Sequence, residues 1–81
     1  MNSLQKKAIE EKLSVIIQRI ERIENKGSLS ENDEIRLIKY QEQLHGADEV
    51  LTAIGYVREY HGGDIDESGK TRRSYYTLKK I

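Results

Sequence analysis

The stretch HGGDIDESGKT, residues 61–71, gathers most of the chain's chemically versatile residue types in one place. It ends in Gly69-Lys70-Thr71, as a phosphate-binding loop does. Such a loop needs another glycine, four residues ahead of the Gly-Lys-Thr, so that successive backbone N–H groups wrap the phosphate. Asp64 stands at that position, and Gly63 lies one residue too far away. Asp64, Asp66 and Glu67 would also face the anion with negative charge. The stretch lacks a buried strand before it and a helix after it. Nucleotide binding is therefore not expected.

The same residues come nearer to a calcium loop. Asp64, Asp66, Ser68 and Gly69 fall at positions 1, 3, 5 and 6 of an EF-hand-like series, where short oxygen ligands alternate and glycine makes the sharp turn. Position 12, which should be a bidentate glutamate, is Tyr75, and position 9 is Arg72. A solvated turn uses Asp and Gly for backbone reasons alone, and that is the expected reading. His61 with Asp64 and Asp66 imitates a ligand set, whereas His45 sits alone beside a helical seam. Neither histidine belongs to a Ser/His/Asp or Cys/His arrangement, and the carboxylates are scattered along helix faces. We expect no metal, no cofactor and no enzymatic activity.

Residues 70–81, KTRRSYYTLKKI, carry the strongest functional signal. Lys70, Arg72, Arg73, Lys79 and Lys80 stand there without an acid, around Tyr75 and Tyr76. Cations neutralise phosphates and tyrosines stack on unpaired bases, so these seven residues are candidate contacts to a nucleic acid or a protein partner. In a second reading, Tyr75, Tyr76 and Leu78 pack back on the rest of the chain, or pair as an edge strand with solvated charges around them. The readings are compatible, because a strand packed through Tyr76 and Leu78 still presents its other face.

Two helices must position that segment. Ile9, Leu13, Ile16, Ile20 and Ile23 step by four and three, a coiled-coil seam, and predict a helix over residues 3–25. Lys6–Glu10 and Lys7–Glu11 are opposite-charge pairs one turn apart on its exposed face. NKGSLSENDE, residues 25–34, breaks the pattern. Gly27 suits the left-handed position that ends a helix, and Lys26 complements the C-terminal dipole. Ser28 with Glu31, or Ser30 with Asp33, begins the next helix as a capping box. Leu37, Tyr40, Leu44, Ala47, Leu51 and Ile54 continue a three-and-four stepping along it. That helix ends either at Gly55, which frees YVREY as a short strand, or near Gly62 and Gly63. Ile54, Val57 and Tyr60 keep helical neighbour spacing, so we expect it to run over about residues 30–60. A polar loop then leads into a strand or an extended tail.

The fold class expected is mainly α: an antiparallel two-helix coiled-coil hairpin over residues 1–61, then a loop and basic tyrosine-bearing segment over 62–81. Only 36% of the 81 residues are hydrophobic and 35% are charged, with no Phe, Trp, Cys or Pro. So thin a core needs a staple or a partner. The absence of cysteine excludes disulfides and thiolate metal sites. Val15, Ile17, Ile35, Ile38 and Val50 lie beside or off the seams, more apolar surface than a lone hairpin covers. A homodimeric four-helix bundle is the expected solution. No apolar run spans a membrane or forms a signal-peptide core, and a cytoplasmic protein is expected. Net charge is zero but uneven: +2 over residues 1–26, −4 over 27–61 and +2 over 62–81.

These features point to a small non-enzymatic protein–protein interaction module. Chains of this size and composition are often regulators or inhibitors from phages and mobile elements, an association rather than a derivation. The alternative is a nucleic-acid-binding accessory protein that uses the basic segment, or an inhibitor of a host nucleic-acid-handling enzyme, such as an anti-CRISPR.

Overall fold

A computed structural model describes residues 1–63 and 73–81. It contains helices α1 (Ser3–Glu24) and α2 (Glu31–Ala53), followed by strands β1 (Tyr56–His61) and β2 (Tyr75–Lys80). The strands pair antiparallel as a two-stranded sheet, with Arg58 opposite Leu78 and Tyr60 opposite Tyr76. The Walker-like and calcium-like residues from Asp64 to Arg72 lie outside the described residues, and with them the expected contact residues Lys70 and Arg72.

Both helices start on capping boxes. At α1, the Asn2 side chain accepts from the Gln5 N–H at 2.8 Å, and Gln5 accepts from the Asn2 N–H at 3.1 Å. At α2, the box uses Ser30 and Asp33, with Glu31, Asp33 and Glu34 in the first turn, where the helix dipole favours negative charge. Of the two expected boxes the second is used, and Ser28 stays outside.

Two expectations about helix ends are corrected. Gly27 does not take a left-handed conformation, since Gly55 alone has positive φ among the described residues. The end of α1 closes instead through the Asn25 N–H on Glu21 O and the Lys26 N–H on Ile23 O, while the Lys26 ammonium swings to Asp33 at 2.9 Å. The second helix does not run to residue 60. Gly55, at φ +87°, reverses the chain after Ala53, and Tyr56–His61 becomes β1. A left-handed turn is open to glycine at little cost, and β-branched and aromatic side chains then favour the strand. The expected division after residue 61 therefore cuts between two strands that pair with each other.

The sheet lies against the helix pair, β2 on α1 and β1 on α2. The core is where the four elements meet: Leu13, Ile20, Leu44 and Leu51 from the helices, Tyr76 and Leu78 from β2. Ile9, Ile16, Leu37, Tyr40 and Ala47 pack half-buried around it. Ile23 is buried at the end of α1. Ile54, expected in the seam, is 53% exposed, because the chain leaves the helix at that residue. The molecule is thin, 40 × 36 × 18 Å, with a radius of gyration of 14.2 Å. A compact chain of this length would have roughly 12 Å.

Candidate interaction surfaces

Four polar residues of α1, Glu10, Ser14, Gln18 and Glu21, step by four, four and three and so share one face of the helix. That face lies along the outer edge of β2 and supplies the partners a third strand would offer. Glu10 Oε2 accepts from the Leu78 N–H at 2.7 Å. Ser14 Oγ accepts from the Tyr76 N–H at 2.9 Å and donates to Glu10 O at 2.7 Å. Gln18 Nε2 donates to Ser74 O at 3.0 Å. Ser74, itself buried, donates its hydroxyl to Glu21 Oε2 at 2.8 Å and accepts from the Gly63 N–H at 3.0 Å. Tyr60 adds its hydroxyl to Glu21 Oε1 at 3.1 Å. The Tyr76 and Leu78 N–H groups of this edge are thus satisfied, and every buried polar side-chain atom among the described residues has a partner.

β1 differs. The register turns the N–H and C=O groups of Tyr56, Arg58 and Tyr60 away from β2. Among the described residues nothing hydrogen-bonds them. On its core side β1 is tied to α2 by Arg58, which donates to Asp48 through Nε at 2.6 Å and Nη2 at 2.9 Å. Arg58 Nη1 also donates to the Tyr76 hydroxyl at 2.6 Å. The hydrogen bond to Asp48 raises the Arg58 pKa above its ordinary value, and burial raises that of Tyr76.

The structure divides the expected contact residues of the C-terminal segment. Tyr76 is buried, and cannot stack on a base without leaving the core. Tyr75 points to the opposite face of the sheet, half-buried, with its ring stacked on His61 at 4.6 Å between centroids. His61 Nε2 in turn meets Thr77 Oγ1 at 2.8 Å. Arg73, Lys79 and Lys80 are exposed, with Lys79 reaching Glu59 at 3.7 Å. Among the described residues no group of histidine and carboxylate side chains is placed to hold a metal, and no helix is long and apolar enough to cross a membrane.

Two further surfaces stand out, of which the sequence showed only the first. The first is the outer side of α2. Its core side carries Leu37, Leu44 and Leu51, yet Ile35, Ile38 and Val50 stand on the other side at 58, 57 and 63% exposure. The signal was present as apolar residues on both sides of one helix. The second is a groove of about 440 Å3 at the turn end of the helix pair, walled by Arg19, Arg22, Lys26 and Arg36 over Ile23 and Tyr40. These residues are separated in sequence and meet only once the hairpin closes.

The chain matches no known family model, no curated protein and no solved structure. Function must be read from its own geometry.

Proposed function

We propose that the protein is a non-enzymatic protein–protein interaction module whose helix pair self-associates through the outer side of α2. The observation that carries this reading is the exposure of Ile35, Ile38 and Val50 on a helix already packed through its opposite side. Exposed large apolar side chains on one side of a rigid helix mark a contact site, and a two-fold axis lets that side cover its own copy. Two copies joined in this way form a four-helix bundle. The bundle uses the outer side of α2 rather than the seams, because Tyr76 and Leu78 already occupy the seam side. The flat shape of the single chain agrees with a half-built assembly. The open edge of β1 remains available to an extended segment of a partner protein, by strand addition. Regulation or inhibition by occupying that partner's surface is the role such a module serves.

The reading predicts a dimer in light scattering, and a melting temperature that rises with protein concentration. Ile38→Glu with Val50→Glu should give a folded monomer of unchanged helicity. A wild-type chain that stays monomeric over the accessible concentration range would remove the proposal.

A nucleic-acid reading through the C-terminal segment finds less support. Its stacking group Tyr76 is enclosed and Tyr75 is held on His61, which among the described residues leaves Arg73, Lys79 and Lys80 as exposed charges.

A further inference from the structure

We propose that the groove between the ends of the two helices binds phosphate groups. Arg19 and Arg22 lie three residues apart on one face of α1, Lys26 follows in the turn, and Arg36 faces them from α2. Four cations thus converge on one groove. The only acid among the described residues that contacts them is Asp33, which is buried and already engaged. Its Oδ1 takes the Lys26 ammonium at 2.9 Å, and its Oδ2 takes the Ser30 N–H at 3.1 Å. Arg36 reaches the same Oδ1 only at 3.8 Å. Arg19 and Arg22 form no ion pair among the described residues.

Part of this arrangement has an ordinary structural explanation. Lys26 holds Asp33, and Arg22 in the last turn complements the dipole of α1. That explanation, with Arg36 also within 3.8 Å of Asp33, leaves Arg19 unaccounted for, and it leaves the groove with an excess of positive charge in a chain of zero net charge. Cations gathered in this way repel one another until an anion arrives. Guanidinium groups match the geometry of phosphate oxygens, donating two parallel hydrogen bonds at once. Tyr40 lines the floor, and its hydroxyl has no hydrogen-bond partner among the described residues, so it is free to donate to the same anion. Ile23 is buried beside it.

The ligand chemistry is a phosphate group with at least two accessible oxygens. It is supplied either by a nucleic-acid backbone or by a free phosphate compound. The site is separate from the C-terminal basic residues Arg73, Lys79 and Lys80, and from the outer stripe of α2.

The test is a nuclear magnetic resonance titration of the full chain, first with inorganic pyrophosphate and then with single-stranded oligothymidylate. The Nε–H signals of Arg19, Arg22 and Arg36 and the ring of Tyr40 should move saturably. Arg22→Gln with Arg36→Gln should weaken binding at least about tenfold, as expected for lost charge-assisted hydrogen bonds. These positions are exposed, and an unchanged helical circular dichroism spectrum checks that the variant folds. If the oligonucleotide binds more tightly than pyrophosphate, and the variant's salt slope is smaller by about 1.4, the source is a nucleic-acid backbone. If pyrophosphate binds as tightly as the oligonucleotide, the source is a free phosphate compound. Three results overturn the proposal: no saturable shift, shifts of equal size at Arg73, Lys79 and Lys80, or wild-type affinity in the folded double variant. None of the three bears on self-association through α2, which uses other residues.

Discussion

Arg58 grips Asp48 with two hydrogen bonds, 2.6 Å from Nε to Oδ1 and 2.9 Å from Nη2 to Oδ2, and so fastens β1 to α2. The same guanidinium donates to the Tyr76 hydroxyl, which brings β2 into the connection. One side chain thereby touches three of the four elements. The Arg58 and Asp48 side chains are 26% and 36% exposed, so the ion pair itself is worth only about 1 kcal/mol. Arg58→Met should cost more, about 2 kcal/mol, because it also strands the buried Tyr76 hydroxyl. In urea unfolding, Asp48→Asn and Arg58→Met together should cost less than the sum of the two. Strict additivity would show that the pair does not hold the sheet to the helix.

Ser14 and Glu10 do for β2 what a neighbouring strand would do. Ser14→Ala leaves the Tyr76 N–H without a partner inside the α1–β2 contact, and should cost about 1–3 kcal/mol. Glu10→Gln keeps an acceptor for the Leu78 N–H and should be tolerated far better than Glu10→Ala. Hydrogen exchange gives a local readout: the Tyr76 amide should lose protection in Ser14→Ala, and the Leu78 amide in Glu10→Ala. Protection that persists in both variants would mean that the edge is not sealed by these side chains.

The two glycines of α2 and its exit should respond in opposite directions. Gly46 lies within the helix with open space where a Cβ would go, so Gly46→Ala should stabilise by about 1 kcal/mol. Gly55 also has open space, but its φ of +87° strains any L side chain. Gly55→Ala should destabilise by about 1 kcal/mol or more and loosen β1. Thermal melts of the two variants, compared with wild type, decide the point. A Gly55→Ala protein as stable as wild type would favour the longer helix that the spacing of Ile54, Val57 and Tyr60 suggests.

Two groups set opposite pH limits. Asp33 is held below the usual carboxylate range, first by its hydrogen bond from Lys26 and then by the Ser30 N–H. A depressed folded pKa contributes stability that is present above the unfolded pKa and lost as pH falls through the folded one. Asp33→Asn should therefore lower stability at neutral pH and flatten the acid limb of the stability curve. Tyr76 is pushed above the ordinary tyrosine range by burial, so its contribution is present below the unfolded pKa and is lost as alkaline pH rises through the folded one. Tyr76→Phe should flatten the alkaline limb. Limbs unchanged in both variants would contradict these assignments.

The helices were legible because their apolar spacing and caps agree. Ile9 through Ile23 and Leu37 through Leu51 repeat without a break, and Ser30 with Asp33 marks the second start. β1 was not, because YVREY fits both patterns: Val57 and Tyr60 continue the stepping from Ile54, while aromatic and β-branched residues favour a strand. Gly55 settles the competition through a backbone conformation that spacing does not encode. The role of Glu10, Ser14 and Gln18 was hidden for another reason, since polar residues beside an apolar seam look like a solvated face until a strand lies on them. The basic groove was hidden by distance along the chain: Arg19 and Arg36 meet only through the turn at residues 25–30.

Self-association through the outer side of α2 is best tested by cysteine cross-linking, since the chain has no cysteine of its own. Glu42→Cys and Gly46→Cys place one thiol each in the middle of the stripe between Ile38 and Val50. Under mild oxidation both should form disulfide-linked dimers much faster than Glu24→Cys on exposed α1, and adding Ile38→Glu should abolish that advantage. Equal, slow cross-linking at all three positions would contradict the account.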